Sequence, residues 1–216
     1  MLMLKVKDPI SGGSHLIGVL LSITGLALLV YYAAIHGSTW HIVSFSIFGA
    51  SLILLYTAST LYHLLSLSAR ATTILRRLDH MMIYVLIAGT YTPICLIPLR
   101  GVWGWSMLGS IWGIALAGIV LKGVWKEAPR WLSTTFYLAM GWLVLITIVP
   151  LARSIPPGGM AWLAAGGIFY TIGGIIYALK KPNFLPGFGF HEIFHFFVLL
   201  GSFSHFWLMY RYILYL

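Results

Sequence analysis

Residues 14–35 read SHLIGVLLSITGLALLVYYAAI, a run without a single Asp, Glu, Lys or Arg. A bilayer core about 30 Å thick takes roughly 20 apolar residues of helix to cross, so this run predicts a membrane-spanning helix. It is too long for a signal-peptide core, and no small-residue cleavage pattern follows it, so it reads as the first retained helix. Working outward, six further runs of the same kind lie at approximately 41–66, 79–98, 103–122, 131–149, 160–179 and 190–214. The connections carry the expected breakers: Gly37-Ser38, Pro98 with Gly101, Pro156-Pro157-Gly158-Gly159, Pro182, and Pro186-Gly187. No gap is long enough for a soluble domain. The expected architecture is an all-α membrane protein, a seven-transmembrane-helix bundle forming one domain over residues 1–216.

Composition agrees. The chain is 60% hydrophobic and 8% charged, against about 25% charged in an ordinary soluble domain. Lipid is the medium that tolerates such a chain. The formal charge of +9 does not point to nucleic acid, because the basic residues are not gathered on one element as a phosphate-tracking stripe requires. They sit between the apolar runs. If the seven runs alternate across the membrane, one side holds Lys5, Lys7, Arg70, Arg76, Arg77, Lys122, Lys126, Arg130, Lys180 and Lys181, and the other only Arg100, Arg153 and Arg211. Ten against three places the N-terminus in the cytoplasm and the C-terminus outside, in a multi-pass protein of the cell membrane. The lone cysteine, Cys95, lies in an apolar run and reads as a packing residue. Small residues such as Gly113, Ala117, Gly118, Gly166, Gly167, Gly173 and Gly174 let helix backbones approach closely and carry no chemistry.

Polar residues are costly in such a chain, so their positions are informative. Of the four acids, Asp8 and Glu127 read as helix-flanking and loop charges. Asp79 and Glu192 stand at the starts of apolar runs, both at the expected cytoplasmic end, where a helix N-terminus favours an acid. Among the eight histidines, His63 lies near the end of the second run, and His191 and His195 near the start of the seventh. His191 and His195 are four apart and share a helix face, as do Ser59 and His63. Three imidazoles and the Asp79 carboxylate are therefore expected in one layer of the bundle. Three protein ligands with an open position are the coordination of a catalytic zinc. The other histidines are weaker candidates. His15 begins the first run, His80 follows Asp79, His36 and His41 fall on the outer side, and His205 lies deeper on nearly the same face as His195.

The same residues admit two other readings. His191-Glu192-Ile193-Phe194-His195 spells H-E-x-x-H, which in a zinc protease sets two ligands on one face with the Glu as general base. His63 and His195 on facing helices are also the pair that a bis-histidine haem requires.

A resemblance adds to this reading. The stretches ASTLYH (Ala58 to His63), LDHMMIYVLIAGTYTP (Leu78 to Pro93), FYLAMGW (Phe136 to Trp142) and HEIFHFFVLLGSFSHF (His191 to Phe206) resemble the hemolysin III family. That family is the bacterial branch of the progestin and adipoQ receptor superfamily, which includes the adiponectin receptors. The resemblance implies a seven-helix bundle with a cytoplasmic N-terminus and a zinc ion near the cytoplasmic face. By motif it makes His63, His191 and His195 the ligands, with Asp79 handling the attacking water and Ser59 supporting it. It further implies an activity among hydrolysis of lipid amides such as ceramide, hormone reception, membrane-fluidity homeostasis and cytolysis. No long N-terminal domain like that of the adiponectin receptors precedes the first run, so hormone-type regulation is not expected. The superfamily does not require Glu at position 192.

The expected partners are membrane lipids, with a lipid amide as substrate and its acyl chain between the helices. Asp79 would act as general base and Ser59 would hydrogen-bond Asp79 or the developing oxyanion. The basic inner loops would attract anionic headgroups. A non-enzymatic fluidity or cytolytic factor with structural zinc is the alternative. No full-length stripe of charged or hydroxyl residues suits a wide pore.

Overall fold

The computed structural model describes residues 7–125, 129–185 and 187–216. Lys5, Lys126, Glu127 and Pro186 lie outside the described residues. The chain is helical almost throughout. Helix α1 runs Pro9–His36, α2 Thr39–Leu64, α3 Ala69–Leu96 and α4 Val102–Val124. Helix α5, Arg130–Trp142, passes through a 3-10 turn at Leu143–Thr147 into α6, Ile148–Ser154. Then come α7, Pro157–Leu179, a two-stranded hairpin of β1, Asn183–Leu185, and β2, Phe188–Gly189, and finally α8, Phe190–Arg211.

The helix ends follow from local chemistry. Pro9 and Pro157 sit in the first turns of α1 and α7, where a missing N–H costs nothing. Ser68 Oγ accepts the Ala71 N–H at the start of α3. At the start of α8, Glu192 Oε2 accepts the Gly189 N–H at 2.8 Å, the reach-back half of a capping box. The helices outrun the apolar runs. Helix α1 begins five residues before the expected run, and α3 ten before. Hydropathy marks where lipid begins, whereas the backbone keeps its hydrogen bonds beyond it.

The expected run at 131–149 is interrupted instead of continuous. Tyr91 of α3 inserts its hydroxyl into the ladder of the α5–α6 rod, donating to the Gly141 carbonyl and accepting the Val144 N–H, each at 2.7 Å. Side-chain insertion of this kind is one of the few causes of a broken helix. Pro150 adds to it by removing a donor. Such a break is tolerated at membrane depth only where protein or a cavity surrounds it.

Among the described residues six helical segments are long and apolar enough to cross a membrane: α1, α2, α4, the rod Arg130–Ser154, α7, and Phe190–Tyr215. Helix α3 carries Arg70, Arg76, Arg77 and Asp79 before its apolar part begins at Met81. The residues face the way lipid demands. On α1, Leu16, Ile17, Leu20, Leu21 and Leu28 point outward and are exposed. Its buried stripe is Ser11, Ser14, His15, Gly18, Ser22, Gly25, Leu29 and Ala33, which recurs at the helical period. Small and polar residues inside with large aliphatics outside reverse the pattern of a soluble bundle. Packing runs in a closed order, α4 on α3, α3 on α2, α2 on α1, α1 on α8, α8 on α7, α7 on α5, and α5 back on α3. This ring brings the C-terminal end of α2, the N-terminal end of α8 and the N-terminal half of α3 around one interior space.

Candidate metal centre

The end of α2 and the start of α8 meet through three imidazoles. His191 Nε2 lies 3.2 Å from His63 Nε2 and 3.2 Å from His195 Nε2. One ligand atom from each residue falls within 4.8 Å of the others. The spacing is informative. Zinc–nitrogen bonds of about 2.0–2.1 Å at tetrahedral angles set neighbouring nitrogens about 3.3–3.4 Å apart. Hydrogen bonding alone does not account for the arrangement. A ring nitrogen offers one in-plane donor or one in-plane acceptor, yet His191 Nε2 faces two partners at the same distance. A cation between the three rings serves all of them, so the donor set fits a metal ion. His63 and His195 are buried and His191 is partly so. The rings of His63 and His195 stand only 4.9 Å apart, centroid to centroid, which leaves no room for a porphyrin between them.

Asp8, which sequence reasoning treated as a flanking charge, is part of this centre. Its Oδ2 accepts from His63 Nδ1 at 3.0 Å, and its backbone N–H donates to the His63 carbonyl at 2.9 Å. A carboxylate on Nδ1 fixes the tautomer and leaves Nε2 with its lone pair directed at the cluster. The signal was present in the sequence. A two-residue connection at Gly37-Ser38 forces α1 and α2 antiparallel, so the start of one must lie against the end of the other.

His15 does more than begin the first apolar run. It is buried, stacks on His195 with centroids 3.8 Å apart and planes 25° apart, and meets the Tyr56 ring edge-on at 4.9 Å. Among the described residues neither of its ring nitrogens has a hydrogen-bond partner. His15 thus fixes the plane of a cluster ring from the α1 side.

Asp79 and Ser59 face the same interior. Ser59, one turn before His63 on α2, hydrogen-bonds the Asp79 carboxylate, so α2 presents an imidazole and the partner of a carboxylate on one face. Both line a cavity of about 720 Å³, together with His63, His191 and His195. Sites for small molecules commonly enclose about 300–1,000 Å³. From His191 at one end to His205 at the other, α8 spans about 21 Å. Apolar groups such as Leu86, Ile87 and Val198 form the wall between. At the far end His205 is buried, with Nε2 3.4 Å from the Leu163 carbonyl. Its ring occupies the space that a Cβ on Gly166 would fill. Tyr56 and Tyr170 both hydrogen-bond Ser202 there, at 2.7 and 2.8 Å.

Glu192 is engaged elsewhere. Beyond its bond to Gly189, its Oε1 accepts from Ser11 Oγ at 3.0 Å, so it ties α8 to α1. His41 pairs with Ser38 and with the Ile213 carbonyl at the opposite end of the bundle, away from the cluster. Cys95 is buried in a packing cluster with Tyr84, Ile111 and Met140.

Fold and site together define a class, the multi-pass membrane proteins that carry a three-histidine cluster able to hold a metal ion at one end of a helical bundle. The chain belongs to the haemolysin-III-related family, whose model matches residues 3–206. It is 47% identical to the Hemolysin-3 homolog of Bacillus subtilis (strain 168) over 201 residues, covering 93% of this chain and 92% of that one. It is 40% identical to Hemolysin-3 of Bacillus cereus over 210 residues, covering 97% and 93%. More distantly, it is 26% identical to the human Monocyte to macrophage differentiation factor over 204 residues, covering 93% and 82%. The chain is a multi-pass protein of the cell membrane.

Proposed function

We propose that this chain is a zinc-dependent hydrolase of lipid amides, with seven spans, a cytoplasmic N-terminus and its centre just beneath the inner headgroups. The ten-to-three distribution of basic residues and the apolar second half of α3 support the topology. His63, His191 and His195 would hold the ion through Nε2, with Asp8 orienting His63 from outside the cluster. A zinc ion in that position supplies Lewis acidity at a carbonyl and makes water nucleophilic near neutral pH.

The chain's own groups supply the rest. Asp79 takes the proton from the attacking water and returns it to the leaving amine, a role worth about 10²–10⁴ in rate. Ser59 holds the carboxylate in place by hydrogen bonding to it. The cavity wall of Leu86, Ile87 and Val198 receives the acyl chain and excludes bulk water from the reacting carbonyl. The observation that carries this reading is the opening of the three-nitrogen cluster and of Asp79 onto one apolar cavity of lipid dimensions. A protease using H-E-x-x-H would need Glu192 free beside the cluster, and Glu192 is spent on Gly189 and Ser11. The name Hemolysin-3 carried by the Bacillus relatives favours a second reading, a cytolytic factor, in which the metal would be structural.

The deciding experiment takes purified protein in nanodiscs, measures zinc by elemental analysis and follows fatty-acid release from a long-chain N-acyl amide. About one zinc per chain is expected, with release by wild type and a loss of at least a hundredfold in Asp79→Asn while zinc is retained. Zinc bound without release in wild type would leave the structural role. Absence of zinc would remove the site.

A further inference from the structure

The three-histidine cluster occupies only one side of the cavity mouth. On that side, formed by α1, α2 and α8, the carboxylates are already committed. Asp8 goes to His63, and Glu192 goes to Ser11 and Gly189; across from them Asp79 of α3, the acid of the facing wall among the described residues, is taken by Ser59 of α2. The facing wall, from α3, α4 and α5, is of opposite character. Arg76, Arg77, Lys122 and Arg130 all line the cavity, with His80 among them. Arg76, Lys122 and Arg130 gather around His80 closely enough for each to act on it electrostatically, and Arg130 acts likewise on His191.

The positive-inside rule by itself asks only that cations stand at helix ends on one side. It does not ask that they turn into the bundle, and at this same end Arg70, Lys180 and Lys181 do not line the cavity. Among the described residues none of the inward four forms an ion pair with a carboxylate; the pairs there are Lys7 with Asp8 and His63 with Asp8. Lys122 Nζ instead donates to the Ser133 hydroxyl at 3.0 Å. The Arg130 guanidinium lies over the Tyr177 ring, 4.7 Å from its centroid, and 5.6 Å from that of Phe190. Those two rings flank His191, at 5.8 and 6.1 Å. A guanidinium placed against aromatic rings still has N–H groups to offer an anion.

We propose that this wall is a headgroup subsite, and that the molecule taken by the cavity is an anionic amphiphile. Its acyl chain runs down the apolar interior toward His205. Its carboxylate or phosphate lies against Arg76, Lys122 and Arg130, and its acyl linkage spans the gap to the three histidines. The proposal rests on the hydrolase reading for the position of the linkage, but not for the binding preference. In the reaction water adds across the amide, the C–N bond breaks, and the products leave as a carboxylate and an ammonium: one proton of the water reaches the nitrogen through Asp79 and the other passes to it from the new carboxyl group. A neutral lipid amide would leave the cationic wall without a partner in a low-dielectric mouth, a disadvantage that selects against it.

The test uses two probes with the same acyl chain and the same amide, N-oleoylglycine (anionic) and N-oleoylethanolamine (neutral), with N-acetylglycine and inorganic phosphate as chainless anions. Equilibrium binding is measured with radiolabelled probes in phosphatidylcholine nanodiscs against empty discs, with zinc content recorded for every sample. Wild type is expected to bind N-oleoylglycine at least tenfold more tightly than N-oleoylethanolamine. Arg76→Gln/Lys122→Gln, and separately Arg130→Gln, should erase that preference while moving the neutral probe less than twofold. The neutral probe thereby reports that each variant is folded. Equal binding of the two oleoyl probes by wild type, or equal weakening of both in the variants, would overturn the subsite. N-acetylglycine or phosphate competing as well as N-oleoylglycine would overturn the amphiphile, leaving a site for soluble anions. If wild type keeps the preference but cleaves neither amide, the hydrolase reading fails while the subsite stands.

Discussion

Removing the Asp8 carboxylate should weaken metal binding without touching a ligand. In Asp8→Ala the hydrogen bond from His63 Nδ1, 3.0 Å long, is lost. The ring is then free to rotate or to place its proton on Nε2, where it would block coordination. Loss of such an outer partner typically costs 10–100-fold in metal affinity. The local environment selects within that range. The His63 side chain is 3% exposed and so feels its partner strongly, but the Asp8 side chain is 41% exposed and screened by water. The lower end applies, about tenfold or 1.4 kcal/mol. Asp8→Asn, whose amide oxygen still accepts from Nδ1, should lose less, roughly threefold. The assay is competition between nanodisc-embedded protein and a fluorescent zinc chelator, with the melting temperature of the metal-free forms measured alongside. Identical zinc affinity in wild type and Asp8→Ala would refute the role of Asp8 and, with it, the orientation of His63.

Three further outcomes follow from the same geometry. His191→Ala, which removes the nitrogen common to both short contacts, should bring zinc to below a tenth of an equivalent per chain by elemental analysis. Glu192→Gln should retain zinc and amide hydrolysis within about threefold, whereas a general-base role would cost about 10²–10⁴. Its effect should instead appear as a small loss of thermal stability. Tyr91→Phe leaves the Gly141 carbonyl and the Val144 N–H without their shared partner. Unsatisfied buried backbone groups cost about 1–3 kcal/mol each, so the detergent-solubilised variant should melt several degrees lower.

The class of fold and the cluster were legible in the sequence because each rests on a strong local constraint. Lipid leaves helices as the economical solution for long apolar runs, and the four-residue spacings of Ser59 with His63 and of His191 with His195 put each pair on one face whatever surrounds them. The sequence left Ser59 with two possible partners, Asp79 or a developing oxyanion, and the hydrogen bond to Asp79 comes from the tertiary structure. What hydropathy could not give was where helices end, since α1 reaches back to Pro9 and α3 continues through the polar turns around Arg70 and Arg76, or that Tyr91 would break the α5–α6 rod from another helix.

The sequence by itself determined that this is a helical membrane protein, with His63 near the end of α2 and His191 and His195 near the start of α8. Only the tertiary structure decided that three Nε2 atoms share one point, that Asp8 and His15 hold the rings, that Glu192 is a strut, and that four cations face inward across the same cavity. The physical reason is that helical periodicity fixes which residues share a face of one helix. The rotation of that face relative to six neighbouring segments is set by packing contacts between residues far apart in the chain.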